Sequence, residues 1–421
     1  MVVCAIRVRV VWVRFPAARL NNMIILAIET SCDETGISFI NAEQARNGWK
    51  VEVKANELLS QIKTHAQYGG VFPMLAKREH AKNLIPLLKN ALAKANLIYK
   101  EIGANLNTRE ISRILEREPD LFKLFMEYIP TINSPKIDAI TVTYGPGLEP
   151  ALWVGINFAK ALSSAWNIPI IPANHMEGHI ISALLTQDEF SKSTFQVSKP
   201  AFPALALLIS GGHTELILME EWGRYRMIGR TRDDAVGEAF DKVARILGLP
   251  YPGGPEISRL ADLWRENSRF SAYMKDNHEL LKLPRPMINS DDFDFSFSGL
   301  KTAVLYKIKK IPAPSKEIVS AIAVEFENAA TEVLVAKARK AIEHFNVRTL
   351  IISGGVSANN FIRKSFAELG VEMDVAVLIP PPALATDNAI MIALAGMAEG
   401  LGMSRHPDEI RAVGNEELGD Q

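Results

Sequence analysis

The chain has 421 residues, of which 48% are hydrophobic and 23% are charged, and its formal net charge is −1. At roughly 100–200 residues per domain, this length predicts two domains. The near-neutral balance excludes a protein that attracts nucleic acid by its overall charge, so RNA binding would need a local basic patch or a partner. The candidate patches, each of which could also be a solvated helix face, are Lys77, Arg78 and Lys82; Lys301, Lys307, Lys309 and Lys310; and Lys337, Arg339 and Lys340.

The two cysteines, Cys4 and Cys32, provide no disulfide framework, which favours a reducing, cytoplasmic location. No apolar run approaches the ~20 residues of a membrane span, so we expect no membrane association. Residues 1–22 contain four arginines and no acidic residue, and an apolar strand begins directly after Met23. We interpret residues 1–22 as a leader outside the fold, with Met23 as the natural start; a targeting peptide is the alternative.

Apolar runs that end in glycine-rich or polar turns alternate with helical stretches along the chain. The predicted strands are residues 24–28, 37–40, 137–142, 168–171, 205–209, 215–218 and 349–352. Helices are predicted near residues 152–165, from Asn174 and from Ala358. Two similar strand–turn–strand units, at 24–40 and 205–218, indicate a duplicated architecture. This alternation predicts α/β sheets with helices on their faces and ligands at the carboxyl ends of the strands.

A stretch rich in serine, lysine and proline, from Ser191 to Pro203, is the predicted domain boundary. We predict a first domain at 23–195, with an insertion of charged helices near 99–135, and a second domain at 196–403. The last helix of the second domain could pack back on the first domain. Residues 404–421 are polar and are predicted to form a frayed tail.

The sharpest local signal is the string His-Met-Glu-Gly-His at residues 175–179. Positions i and i+4 share one face of a helix, so His175 and His179 could bind one metal; two surface histidines are the alternative. Asp387, at a predicted helix start, could be a third ligand or a carboxylate that stabilises the helix dipole. Such a set suits iron(II), zinc or manganese. A zinc peptidase needs glutamate directly after the first histidine, and here that residue is Met176.

Three glycine-rich turns could present backbone N–H groups to phosphate: Ser210–Gly212, residues 252–255 and residues 353–359. Each of them alone could be purely structural. Three such turns in one α/β chain, two of them directly after strands, favour a shared nucleotide cleft.

Three acidic residues are further candidates for the chemistry. Asp33 and Glu34 follow the first strand and could orient a metal, a water or an attacking amine, or could simply form a polar turn. Asp241 lies on a predicted helix, where it could bind sugar hydroxyls or pair with Lys242 or Arg245 on the surface.

Together these motifs resemble the tRNA threonylcarbamoyladenosine transferases of the bacterial TsaD type, a family once labelled glycoproteases. The matching strings are IETSCDETG (28–36), HAQYGGVFPMLAKREH (65–80), GPGL (145–148), HMEGH (175–179), SGGHTEL (210–216), DDAVGEAFDKVARILGLPYPGGP (233–255), DFSFSGLKT (294–302), SGGVSANN (353–360) and TDNAIMIA (386–393). They follow one another through nearly all of residues 24–400. The leader and the insertion depart from the family pattern without interrupting a motif.

The resemblance implies a duplicated, actin-like and sugar-kinase-like two-domain α/β fold (the ASKHA fold) with a central nucleotide cleft. It implies one divalent metal ion per subunit, iron or else zinc, held by His175, His179 and Asp387. The residues that it implies for the adenylate-type substrate are Leu208, Ile209, Ser210, Gly211, Gly212, Asp241, Gly254 and Asn359.

The activity implied is transfer of the threonylcarbamoyl group of threonylcarbamoyl-AMP to the N6 amine of the adenosine beside the anticodon. The acceptors are tRNAs that read codons beginning with A, and AMP is released. Asp33 or Glu34 is the candidate for removing a proton from the amine or for positioning it. The resemblance also implies a paralogous, non-catalytic TsaB-like subunit and a TsaE-like P-loop ATPase as partners. The alternatives are a metalloprotease, a sugar-kinase-like phosphotransferase and a scaffold that binds nucleotide without turnover.

Overall fold

The computed structural model describes residues 22–46, 48–98, 106–188, 191–267 and 269–419, so the predicted leader lies outside the described residues except for Asn22. The strands are β1 Asn22–Glu29, β2 Glu34–Ala45, β3 Gly48–Ser60, β4 Ala139–Gly145, β5 Ile170–Asn174, β6 Leu185–Gln187, β7 Thr194–Ser198, β8 Ala204–Ile209, β9 Thr214–Glu221, β10 Arg224–Arg230, β11 Thr349–Ser353 and β12 Ala376–Leu378. The helices are α1 Ile62–Ala66, α2 Pro73–Lys94, α3 Thr108–Ile114, α4 Pro119–Tyr128, α5 Glu149–Trp166, α6 His175–Ser182, α7 Val236–Ile246, α8 Gly253–Arg265, α9 Phe270–Asp276, α10 His278–Leu281, α11 Ser298–Lys309, α12 Lys316–Phe345, α13 Asn360–Met373, α14 Pro382–Ala385 and α15 Ala389–Glu399. Short 3₁₀ helices lie at Ile129–Thr131, Gly355–Ala358, Leu401–Met403 and Pro407–Glu409. None of the described helices is both long enough and apolar enough to cross a membrane.

The first sheet has seven strands in the order β5-β4-β1-β2-β3-β7-β6. β1, β2 and β3 are antiparallel neighbours, and β4 and β5 run parallel to β1. The four strands predicted from this half of the sequence are all present in it. β2 begins at Glu34, three residues earlier than predicted, because Glu34 and Thr35 pair with Ser60 and Leu59 at the end of β3.

The second sheet has five strands in the order β10-β9-β8-β11-β12. β8, β9 and β10 are antiparallel neighbours, and β11 and β12 run parallel to β8. Each sheet therefore contains the same five-strand pattern, in which the first strand begins a three-stranded antiparallel meander and has two parallel strands on its other side. This repetition confirms the predicted duplicated two-domain α/β fold.

The first strand of each sheet is buried on both faces, and its successive residues contribute to different cores. In β1, Leu26 and Ile28 face an outer core that contains α2 and α5. Ile25 and Ala27 face a central core that also contains Leu208 of β8 and the apolar residues of α6 and α15. α6 contacts strands of both sheets, and α15 packs on β1, β2 and β5. The two helices that contain or adjoin the predicted metal ligands therefore lie in the layer between the sheets.

The described part of the tail, residues 404–419, is packed, so the prediction of a frayed tail is wrong. Val413 donates its backbone N–H to the end of β4 at 2.9 Å. Ile410 and Leu418 are buried. Glu417 accepts a hydrogen bond from Arg230 of β10 in the second sheet. The tail is polar by composition, yet two buried apolar side chains and the contact of Glu417 attach it to both domains.

The basic patch predicted at residues 337–340 is not a free surface. Lys337 is fully buried, and its ammonium donates to the hydroxyl of Ser290 at 2.6 Å. Arg339 forms a two-pronged ion pair with Glu372. These cations stabilise the packing of α12 and do not form the proposed RNA-binding patch.

Candidate metal centre and nucleotide cavity

α6 and the segment before α15 bring the three predicted metal ligands together. Nε2 of His175 lies 3.4 Å from Oδ1 of Asp387, and Nε2 of His179 lies 3.1 Å from the same oxygen. The three ligand atoms all lie within 4.8 Å of one another, and both histidines are buried. Donor atoms about 2.0–2.2 Å from a shared ion lie at most about 4.4 Å apart, so the two contacts of Asp387 already match and the widest separation would have to close by no more than about 0.4 Å. Two imidazole nitrogens and one carboxylate oxygen therefore fit a divalent transition-metal ion.

The local sequence explains why these ligands converge. Asn174, from which this helix was predicted to begin, caps α6: its side-chain oxygen accepts from the backbone N–H groups of Met176 and Glu177 at 2.8 and 3.3 Å. Gly178 allows α6 to approach α15 closely, since a Cβ there would lie 3.0 Å from the carbonyl oxygen of Met391. This approach brings Asp387, two residues before α15, to the histidine face of α6.

Glu29, the last residue of β1, holds the second ring nitrogen of His175. Its Oε2 lies 3.3 Å from Nδ1 of His175, and the carboxylate also accepts from the Ser31 N–H and the Thr143 hydroxyl, both at 2.5 Å. A carboxylate on Nδ1 fixes the tautomer in which Nε2 is free to bind a metal. The sequence analysis did not single out Glu29. The available signal was a carboxylate that ends an otherwise apolar strand.

The charges in this cluster are strongly interdependent. Burial by itself lowers the pKa of His175, but the carboxylates of Asp387 and Glu29 outweigh it and raise that pKa to about 10. Burial raises the pKa of Asp387, but the two imidazoles outweigh it and hold the pKa well below its usual range. Burial and the neighbouring His175 lower the pKa of His179. The cluster thus favours one positive charge between the carboxylates of Glu29 and Asp387. A proton on His175 supplies that charge here, and a bound metal cation would take the place of the proton.

We expect Glu29→Gln to lower metal affinity about 10–100-fold, because the amide no longer holds Nδ1–H of His175 as a carboxylate does. The measurement is a competition between the protein and a chelator of known affinity. Glu118→Gln is the matched control, since Glu118 is also buried but pairs with Lys77 away from this cluster. An unchanged affinity in Glu29→Gln would show that Glu29 does not position the ligand.

The turn after β1 places Asp33 and Glu34 near the metal ligands. Asp33 is buried, and the Oε1 atom of Glu34 accepts from the hydroxyl of Ser60 at 3.1 Å. Burial, together with the carboxylates of Asp387 and Asp33, raises the pKa of Glu34 to about 9. Glu34 therefore carries a proton at neutral pH in the protein without metal. One of the two carboxylates that raise its pKa, Asp387, is the carboxylate that contacts both histidines.

A cavity of about 640 Å³ lies in the second domain between α7, α8 and the 3₁₀ helix Gly355–Ala358. This volume lies within the range of sites that enclose a nucleotide-sized ligand. Four of the predicted substrate-binding residues line the cavity: Gly211, Asp241, Gly254 and Asn359.

The other predicted substrate-binding residues lie beside the cavity. Leu208 and Ile209 are buried within β8, so their side chains belong to the cores. Ser210 and Gly212 belong to the turn that follows. The hydroxyl of Ser210 accepts from the N–H groups of Gly212 and His213 at 3.3 and 3.1 Å, so this side chain stabilises the turn itself.

Asp241 and Asn359 also hold the cavity walls in place. Oδ1 of Asp241 accepts from the first two backbone N–H groups of α8 at 2.7 and 3.2 Å. The predicted turn at 252–255 is therefore the start of a helix. Asn359 caps α13, and its amide donates to the buried carboxylate of Glu327 at 2.6 Å.

Replacing Asp241 by alanine should cost about 1 kcal/mol of unfolding free energy, because α8 loses the side chain that accepts from its first N–H groups. Asp241→Asn keeps an acceptor oxygen and should stay within about 0.5 kcal/mol of the original protein. Urea unfolding of both variants makes the comparison. Equal losses in the two variants would contradict the capping role.

The metal ligands and the cavity are neighbours. His213, which follows the Ser210–Gly212 turn, is close enough to His175 and His179 that, after burial, their charges help to lower its pKa to about 4. Gly355 lines the cavity, and a Cβ there would lie 3.9 Å from the methyl group of Thr386, the residue before Asp387.

Comparison with known proteins identifies the family. A family model described as tRNA N6-adenosine threonylcarbamoyltransferase (TsaD) matches residues 52–105 and 126–394. A protein with this name from Persephonella marina is 40% identical over 377 residues, which cover 89% of each chain. One from Thermosipho africanus is 40% identical over 377 residues, covering 89% of this chain and 93% of its own. One from Neisseria meningitidis serogroup A is 38% identical over 401 residues, covering 91% and 95%.

The chain belongs to the tRNA N6-adenosine threonylcarbamoyltransferase family. Residues 106–125, which contain α3 and the start of α4, are not matched by the family model and lie within the insertion predicted at 99–135. A solved structure of full-length HypF, in a phosphate- and nucleotide-bound form, aligns at 11% identity over 91% of this chain and 57% of that chain, with a TM-score of 0.42.

The sequence analysis did not single out several polar residues that lie close to the candidate site of this threonylcarbamoyltransferase. They are Glu29, His80, His213 and Tyr251. Burial, and then the carboxylates of Asp33 and Asp241, raise the pKa of Tyr251, so its phenol lies near both acids. All four residues lie inside strings that support the resemblance, but a string alone does not show which of its polar members point into the site.

Proposed function

We propose that this chain transfers the threonylcarbamoyl group of threonylcarbamoyl-AMP to the N6 amine of the adenosine beside the anticodon of tRNA. Family membership supports the tRNA-modifying activity. The single structural observation that favours it is the convergence of His175, His179 and Asp387 next to a cavity of nucleotide size. We expect the acceptors to be tRNAs that read codons beginning with A.

The reaction is an acyl transfer. The N6 nitrogen attacks the carbamoyl carbonyl carbon, a carbon–nitrogen bond forms, and the bond from that carbon to the phosphate oxygen breaks with its electron pair on AMP. The amine loses one proton, for which Asp33 and Glu34 are the candidate acceptors; Glu34 could accept it only after a cation bound beside Asp387 has lowered its raised pKa and released its own proton. An aromatic amine is a weak nucleophile, so much of the rate depends on holding amine and carbonyl in the reacting orientation.

His175, His179 and Asp387 would hold one divalent ion, for which we propose iron, with zinc as the alternative. A bound ion supplies Lewis acidity, which stabilises negative charge that develops on oxygen atoms of the donor. Glu29 keeps the ring of His175 oriented for this role through its contact with Nδ1. The helix packing at Gly178 keeps both imidazoles aimed at Asp387.

The adenylate part of the donor would occupy the cavity in the second domain. The backbone of the Ser210–Gly212 turn is suited to the phosphate, because both of its glycines lie in open space without a side chain, so that a phosphate can approach their backbone closely. Asp241, Gly254 and Asn359 would contact the ribose and the base. The phosphate would then lie on the side of the cavity nearest the histidines, where the carbonyl must be activated.

We propose that tRNA binding needs help from partners, because the net charge of the chain is only −1. A paralogous TsaB-like subunit and a TsaE-like P-loop ATPase would be those partners. Each of the alternative functions predicts a different experimental result. A metalloprotease would cleave peptides, a sugar-kinase-like enzyme would phosphorylate a small hydroxylated substrate, and a scaffold would bind AMP without turnover even with all partners present.

The test combines the purified chain and its partners with tRNA and threonylcarbamoyl-AMP labelled in the threonine. We expect label in the tRNA and one AMP released for each group transferred. Peptide cleavage and ATP-dependent phosphorylation are assayed in parallel on the same preparation. Either of those activities without labelled tRNA would overturn the proposal, and so would AMP binding with no product.

A further inference from the structure

A patch of exposed apolar side chains lies close to the candidate site. Ten large hydrophobic side chains are exposed among the described residues, and five of them fall between residues 58 and 74. They are Leu58, Leu59, Tyr68, Phe72 and Met74, with exposed fractions of 43%, 37%, 60%, 58% and 62%. We call the segment that contains them, residues 58–74, the aromatic patch. The rings of Tyr68 and Phe72 lie side by side, and neighbouring exposed aromatic rings mark an interaction surface.

The aromatic patch borders both halves of the candidate site. Leu59 lies opposite Thr35 in the β2–β3 ladder, one residue from the pair formed by Ser60 and Glu34. On the other side, the carbonyl oxygen of Gly69 accepts from the guanidinium of Arg245 on α7, the helix that contains Asp241. Residues 59–69 therefore reach from the acidic turn, which contains Asp33 and Glu34, to the helix that lines the nucleotide cavity.

A directional chain of hydrogen bonds fixes this loop to the acidic turn. The Phe72 N–H donates to Nδ1 of His65 at 3.3 Å, and Nε2 of His65 donates to Oε1 of Gln61 at 3.1 Å. The amide of Gln61 donates to Nδ1 of His80 at 3.3 Å, and Nε2 of His80 donates to the carbonyl of Cys32 at 2.9 Å. Burial lowers the pKa of His80 to about 4, so its ring is neutral, as this pattern requires.

The chemistry of the aromatic patch favours unpaired nucleotides. Between Leu58 and Arg78 the sequence contains no acidic residue, although the whole chain has a net charge of −1. The exposed cations of this segment are Lys63 and Arg78, whereas Lys77 pairs with Glu118. The rings of Tyr68 and Phe72 are 6.0 Å apart and tilted by 38°, and both are well exposed. Aromatic rings with nearby cations are the usual surface for single-stranded RNA, whose bases stack on the rings while the cations contact phosphates.

We propose that Tyr68 and Phe72 form a stacking platform for unpaired bases of the tRNA anticodon loop next to the acceptor adenosine. This inference rests on the proposed function. An adenine can present its N6 amine to an enclosed site only when it leaves the stack of its neighbours, and a platform at the site entrance stabilises that unstacked state. The hydrogen-bond chain through His65 and His80 places the platform in a fixed position relative to Asp33 and Glu34.

The experiment measures kcat/KM for tRNA and KM for threonylcarbamoyl-AMP in Tyr68→Ala and Phe72→Ala, with the partners present. We expect kcat/KM for tRNA to fall about 5–100-fold for each variant, as for loss of one stacked base. KM for the donor and the metal content should stay unchanged. Tyr68→Phe and Phe72→Tyr should restore near-normal values, because both keep a flat ring.

Tyr306→Ala is the matched control, since Tyr306 is 61% exposed but lies on α11, outside the patch. Normal kcat/KM in both alanine variants would overturn the platform, as would equal losses in Tyr306→Ala. A defect that excess partner protein repairs would assign the patch to a protein contact and also overturn it. If the original chain transfers nothing, the proposed function fails instead. Fluorescence anisotropy with a labelled anticodon stem-loop then tests the platform separately, by the weaker binding expected of Tyr68→Ala.

Discussion

Replacing His175 by alanine should reduce threonylcarbamoyl transfer at least about 100-fold and remove the metal from the purified protein. His175 is the ligand with two carboxylates on its ring, Glu29 at Nδ1 and Asp387 at Nε2. Its loss leaves one imidazole and one carboxylate, which is too few donors for a stable site. The measurements are metal content by mass spectrometry and transfer rate with saturating donor and tRNA.

His406→Ala is the control for this experiment, because His406 is exposed and pairs only with Asp408 of the tail among the described residues. It should retain both metal and activity. His179→Ala should behave like His175→Ala. Transfer at a normal rate by either metal-free variant would contradict the proposed role of the metal.

Ending the chain after Met403 should lower the free energy of unfolding by about 3 kcal/mol. The truncation exposes the surfaces covered by Ile410 and Leu418, each worth about 1.5–3 kcal/mol, and this burial sets the scale of the expected loss. It also leaves the buried ammonium of Lys160 without the carbonyl oxygen of Ile410, which it reaches at 3.0 Å. Urea unfolding followed by circular dichroism measures the change.

A chain that ends at Gly419 is the matched control and should unfold at the original urea concentration, because it keeps every contact of the described tail. If the long truncation does not fold, Ile410→Ala combined with Leu418→Ala gives a milder test with the same sign. An unchanged midpoint in that double variant would contradict a stabilising role for the tail.

Part of each sheet and the start of α6 were predictable because they depend on local sequence. Apolar runs that end in glycine or polar residues predicted β1, β2, β4, β5, β8, β9 and β11, and Asn174 predicted the start of α6. The strands β3, β6, β7, β10 and β12 were not predicted; β3 was missed because its mixed sequence from Gly48 to Ser60 lacks a continuous apolar run. The candidate cations on α12 are neither an RNA-binding patch nor a solvated face for a related reason, since a buried lysine such as Lys337 has the same local sequence as a solvated one.

By itself the sequence determined the family, the duplicated order of elements and the pairing of His175 with His179, since a spacing of four residues places both on one helix face. Only the tertiary structure brought Asp387, 208 residues beyond His179, to that face and placed Glu29 behind His175. Those contacts depend on two sheets packing around α6 and α15, which includes the close approach at Gly178. The packing of the tail was also decided only by the tertiary structure. Two buried side chains in a polar segment have no periodicity that a local sequence pattern could reveal.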